Sequence, residues 1–174
     1  YWNERTELSA QLTELDSVLV LVLHSNTVQP IRVTSKQVFS NALCVFATEA
    51  IEDEGLLCSS VHGEWARKYA GSIQAAVRYG PSEVFETLPR VALGDAVRAA
   101  STHFIEARKR VFQGRKIGLT LAYKMMNTPD EMSDDIVGLR EQAQLLDDAV
   151  LAAYGWSDLD VTRDFRETEH GRRF

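Results

Sequence analysis

Residues 17–23, SVLVLVL, form an almost unbroken run of valine and leucine, the pattern of a strand buried on both faces. Ile31-Arg32-Val33 and ALCVFA at 42–47 predict two further strands, so the first third of the chain is expected to form a small sheet. The segment HSNTVQPIRVTSKQVFSN, residues 24–41, is rich in hydrogen-bonding side chains and broken by Pro30. It reads as loop and hairpin material.

From Leu56 the period lengthens. Leu57, Val61, Trp65 and Tyr69 recur every four residues down one face of a predicted helix ending before Gly71, and turn chemistry returns at Gly80-Pro81. Val97, Ala100, Phe104, Ala107 and Val111 predict a helix over 95–112, and Met132, Ile136, Leu139, Ala143, Leu146, Val150 and Ala153 predict another. Both apolar seams are narrow, as in two helices packed as an antiparallel hairpin. Thr128, Pro129 and Glu131 have the spacing of a cap, a first helical residue and a capping box for the second helix, and Gly155 is placed to end it. The fold class expected is α+β: a small N-terminal mixed sheet with loops (residues 1–92, with one helix), then a C-terminal antiparallel helical hairpin (93–174).

At 174 residues, 45% hydrophobic and 25% charged, the chain suffices for one buried core or two small lobes sharing one. The longest aliphatic run, Val18 to Leu23, is far short of the roughly 20 residues that cross a bilayer. No leader pattern opens the chain, and a cytoplasmic location with no membrane partner is expected. Cys44 and Cys58 have neither C-x-x-C nor paired-histidine spacing and are read as reduced core residues. The abrupt start at Tyr1-Trp2 and the polar run 156–174, which lacks a closing element, predict a piece of a longer protein.

A net charge of −6 argues against nucleic acid until its distribution is considered. Residues 1–60 carry 3 basic and 8 acidic side chains, 61–116 carry 10 and 5, and 117–174 carry 6 and 12. The middle third is thus positive between two negative flanks, the asymmetry of a face that meets a polyanion or of unevenly solvated helices.

Catalytic chemistry is not recognisable. None of His24, His62, His103 and His170 has a second histidine at metal spacing or falls in a nucleophile motif. Ser59-Ser60 lacks a Gly-x-Ser-x-Gly elbow and sits where a helix starts, so its reading is helix capping. Pro129-Asp130 lacks the partner element of a nuclease metal site. Neither a Gly-x-Gly cradle nor an Asn-Pro-Pro-aromatic motif occurs, so no cofactor is expected in these residues.

What remains is recognition. Arg67, Lys68, Arg78 and Tyr79 bracket a glycine-containing turn, suited to setting cations on phosphates with a ring beside them. Asn26, Arg32 and Lys36 lie in the polar stretch among side chains of the types that read base edges, or that simply solvate a loop. EARKRVFQGRK, residues 106–116, fits either a phosphate-tracking face or the basic end of a helix.

The stretch SSVHGEWARKYAGSIQAAVRYGPSEVFETLPRV resembles the specificity-domain signature of large adenine-specific DNA methyltransferases of bacterial restriction-modification and phage-defence systems, including the MmeI-like (type IIG-like) single-chain enzymes. Ser59, Ser60, His62, Trp65, Arg78, Tyr79, Ser82, Phe85 and Pro89 match, while Leu88 replaces a more usual Phe and Gly80 a Thr or Ser. The sequence from Leu119 to Phe174, with its Ala-Tyr-Gly-Trp and Asp-Leu-Asp run, looks like the helical tail of the same family. The resemblance implies a target-recognition region in 1–92, a helical tail in 93–174 and duplex DNA as partner. It further implies an upstream methyltransferase domain that uses S-adenosylmethionine. The side-chain chemistry then offers Asn26, Arg32, Lys36, Arg67, Lys68, Arg78 and Tyr79 as the DNA contacts, with Arg78-Tyr79 either near the DNA or supporting the recognition loops. Phe85 with Leu88-Pro89 would anchor the link between the two regions. A protein-binding module built on the acidic helical hairpin is the alternative.

Overall fold

The computed structural model describes residues 12–73, 76–159, 165–168 and 171–173. β1 (Ser17–Val22) lies between β3 (Ile31–Thr34) and β4 (Leu43–Phe46), antiparallel to both. Val18, Leu19, Val20 and Leu21 are all buried, as a run without alternation requires. β3 and β4 therefore run parallel to each other on opposite edges of β1, and residues 35–42 cross from one edge to the other.

Beyond β1 the chain continues through Leu23 into a second sheet, in which β2 (His24–Ser25) pairs with β6 (Ala76–Arg78), and β6 with β5 (Gly71–Ile73). Leu23 belongs to both. Its N–H donates to Ala42 O at 2.9 Å, and its carbonyl accepts from Tyr79 N at 2.8 Å.

The helix predicted to start at Leu56 is two helices, α1 (Ile51–Cys58) and α2 (Ser60–Tyr69). Ser59 breaks them. Its backbone is extended, its hydroxyl donates to Leu56 O at 2.7 Å, and the same oxygen accepts from His62 N at 3.4 Å. One serine therefore ends one helix and caps the next, in line with the capping expected of this pair. Asp147 adds a second cap, accepting from Ser60 N at 2.7 Å.

Pro81–Phe85 forms a single π-helical turn, after which α3 (Asp95–Arg115), α4 (Leu119–Met126) and α5 (Asp134–Ala153) follow. The end of α3 meets the start of α5 where Arg115 Nη2 pairs with Asp135 Oδ1 at 2.6 Å, and Tyr154 beyond the end of α5 donates to Pro89 O at 2.8 Å. The two long helices are thus antiparallel, as their seams predict. The fold is α+β, with a helical C-terminal part.

α4 was not foreseen, and α5 starts later than its sequence suggests. The Arg140 guanidinium takes the carbonyls of Met125, Met126, Thr128 and Glu131 at 2.7–3.2 Å, so Thr128-Pro129-Asp130 turns out of α4 instead of opening α5. Ser133 is the residue before α5, and Glu131 accepts from its N–H at 3.2 Å. At the other end Gly155 adopts φ +73°, and Gly155 N and Trp156 N donate to Ala152 O and Leu151 O, the paired bonds of a Schellman stop. Two short antiparallel strands, β7 (Arg166–Thr168) and β8 (Gly171–Arg173), lie in the polar run that reads in the sequence as lacking a closing element.

Two apolar clusters fill the interior. Leu19, Leu21, Val28, Phe46, Leu57, Val77, Tyr79 and Val84 form one beneath the sheets; Leu56, Cys58, Leu88, Phe104, Ile136, Leu139 and Leu146 are among those forming the other between the helices. α1 supplies both, with Leu57 facing one and its neighbours Leu56 and Cys58 the other. Phe85 packs edge-on to Phe46 at 4.8 Å under the Arg90 guanidinium, and Leu88 enters the helical cluster, so the 85–89 segment spans the two.

Candidate nucleic-acid interface

The Arg78-Tyr79 pair divides between outside and inside. Val77 is 4% exposed, so strand alternation turns Arg78 to solvent and Tyr79 back into the core. Tyr79 lies edge-on to Phe46 and His62, and its hydroxyl is 2.9 Å from His62 Nε2. His62 Nδ1 stands 2.8 Å from Leu57 O, which can only accept, so Nδ1 carries the proton and Nε2 accepts from Tyr79. Burial depresses the His62 pKa from 6.5 to about 4, which keeps the ring neutral. Tyr79 is therefore a core residue, and its ring has no access to a base. Tyr69, in contrast, is an exposed ring, on Trp65 with centroids 4.3 Å apart and Lys68 Nζ 5.4 Å from its own.

Arg32 is half-buried and fully engaged. Its Nε donates to Glu54 Oε2 at 2.9 Å, Nη1 to Ser17 Oγ and Thr48 O, and Nη2 to Ala50 O. Glu54, 1% exposed, takes Arg108 Nη2 on its other oxygen at 2.9 Å, and Arg108 also holds Pro30 O. The assignment of Arg32 to base reading is corrected on this ground: both of its terminal nitrogens and its Nε are committed to the framework. Gln29 is similarly occupied, donating to Cys58 O and accepting from the Tyr123 hydroxyl.

Lys36 is exposed and pairs with an equally exposed Asp16 at 3.0 Å, a contact weak enough to exchange for another anion. Asn26 is exposed just after β2, where Ser25 Oγ receives Thr27 N at 3.0 Å and shapes the turn. Arg67 is paired to Glu64 at 2.7 Å and lies along Gly63, so it presents less of its charge than its neighbour Lys68. In the basic stretch 106–116, Arg108 is buried and Arg115 is held by Asp135 and Ser133, which leaves Lys109, Arg110 and Lys116 exposed.

The structure thus brings His24, Asn26, Lys68, Tyr69 and Arg78 to the second sheet and its flanks. His24 lies in the polar stretch 24–41, as its sequence places it, and is exposed. Tyr69 falls on the apolar stripe in the sequence yet is exposed, because it closes its helix, where the stripe runs out of cover. Among the described residues no group of histidine, cysteine and acidic side chains is arranged to hold a metal. Cys44 and Cys58 are free and buried, and desolvation raises the Cys58 thiol to about 11.

No protein-family model matches the sequence, and no curated protein matches it. Among solved structures, the Type IIL restriction-modification enzyme MmeI in complex with DNA contains the same fold, with a TM-score of 0.67 and 24% identity over 83% of this chain. The chain spans 19% of the length of that one. No described helix is long and apolar enough to cross a membrane.

Proposed function

We propose that this chain is a DNA target-recognition module: the specificity region and helical tail of an adenine-N6 DNA methyltransferase or restriction-modification enzyme. The observation that carries this reading is the likeness, over 83% of the chain, to part of a restriction-modification enzyme bound to DNA. The signature from Ser59 to Pro89 supports the finer assignment. Methyl transfer and the S-adenosylmethionine site would belong to a methyltransferase domain of the same protein, in a cytoplasmic enzyme. Lys68 and Arg78 would contact phosphates, and Asn26 with the exposed crossover residues Lys36, Gln37, Ser40 and Asn41 would face base edges.

Fluorescence anisotropy of the full chain with a labelled duplex, over a range of potassium chloride concentrations, tests the reading. Binding that weakens linearly in log–log form as salt rises is the expected result. No binding at low salt, or affinity indifferent to salt, overturns it.

A further inference from the structure

β2, β6 and β5 set three residues in one row across the second sheet. His24 is the registered partner of Arg78 on one side, and Gly71 is its partner on the other. All three are exposed, whereas Val77 next along β6 is buried, so the row lies on the solvent face. Directly opposed residues hold their β carbons about 5 Å apart, which lets an imidazole and a guanidinium converge on one small anion. Gly71 adds no side chain. A β carbon there would stand 3.9 Å from Cβ and Cδ of Arg78, so the arginine stem lies along the bare glycine.

Neither His24 nor Arg78 has an ion-pair partner among the described residues, unlike Arg32, Arg67, Arg98, Arg108 and Arg115. Lys68 and Tyr69 lie just ahead of β5 and add a cation and a ring at its edge. We infer that His24 and Arg78 together grip a single backbone phosphate of duplex DNA, with Gly71 leaving room for the Arg78 stem to lie across the sheet. This rests on the DNA-recognition reading and adds to it a specific two-residue site, with His24 donating a ring N–H to a phosphate oxygen.

The test is a double-mutant cycle on the full chain, read as affinity for a mixed-sequence duplex at several salt concentrations. Arg78→Ala should lower the log–log salt slope by about 0.9, the loss of one neutralised phosphate. His24→Ala should weaken binding several-fold, and His24→Gln, which keeps an N–H donor, should retain most of it. In the Arg78→Ala background, His24→Ala should change nothing further, because the phosphate they share is already released. Both positions are exposed, so unchanged thermal midpoints verify that every variant is folded. Wild-type binding unaffected by His24→Ala, or losses that simply add in the double variant, overturns the shared site while the DNA-recognition reading stands. Failure of the wild type to bind overturns that reading and the site with it.

Discussion

Arg108 donates to Glu54 at 2.9 Å inside the protein, with side-chain exposures of 4% and 1%. Arg32 closes on the other carboxylate oxygen, so one acid on α1 joins β3 to α3.

Breaking this arrangement from either side strands a charge in the interior. Arg108→Ala or Glu54→Ala should each cost about 3–5 kcal/mol, the usual penalty for removing one partner of a buried pair. Urea denaturation gives the value, and a loss below 1 kcal/mol would mean that water reaches the site. Arg32→Ala should act in the same direction with a smaller loss, since that side chain is 24% exposed, and on the proposed reading should not redirect the choice of DNA sequence.

His62 makes stability depend on pH in a defined window. Its folded pKa is depressed from 6.5 to about 4, so between those values the unfolded chain binds a proton that the folded chain refuses. Stability is complete above pH 6.5 and falls as pH drops towards 4, by about 3 kcal/mol in all. Asp135, depressed from 3.8 to about 2 by its hydrogen bond from Arg115, acts only below that range. Urea midpoints measured across pH 4–7 should slope for the wild type and flatten for His62→Gln. Parallel curves would show that the ring is not shielded.

Gly55 is where α1 touches α3 and α5. A β carbon there would lie 1.8 Å from Ser101 Oγ, 2.7 Å from Ser101 Cβ and 3.2 Å from Leu146 Cδ1. Gly55→Ala gains up to about 1 kcal/mol of helix propensity yet should still lower the melting temperature, because overpacking costs about 1–3 kcal/mol. Adding Ser101→Gly removes the nearest clash and should restore part of the loss. A more stable Gly55→Ala single variant would refute the close approach.

Tyr79→Phe removes the donor facing His62 Nε2 and leaves a buried acceptor unpaired, at a cost of about 1–3 kcal/mol. Chemical denaturation reads that cost, and DNA affinity below the melting range should stay at the wild-type value. A selective loss of affinity would place this hydroxyl in the interface after all.

The strands were legible because SVLVLVL and ALCVFA state their burial directly, and the α3 seam because its spacing is unbroken. α1 and α2 merged in the sequence because Leu57, Val61, Trp65 and Tyr69 keep a four-residue rhythm across Ser59; the hydroxyl that interrupts it acts through geometry the period does not encode. α4 escaped because its boundary is set by Arg140, which reaches back from α5. The exposure of the candidate contact residues was half legible. Arg78 and Lys68 lie at the surface as expected, but composition cannot separate a guanidinium offered to solvent from one consumed by Glu54, and adjacency hid that Arg78 and Tyr79 face opposite ways.

α1 lines both apolar clusters, with Leu57 on one side and Leu56 and Cys58 on the other. On the proposed reading, exchange of the β1–β4 segment between related chains therefore has a compatibility rule. A donor segment covering β1 to β4 must bring an arginine at position 32 and an apolar underside that fits Leu57, while the exposed crossover residues Lys36, Gln37, Ser40 and Asn41 are the ones open to change. A graft chosen on the crossover alone, with another side chain at position 32, would carry a new surface on a scaffold weakened beneath it.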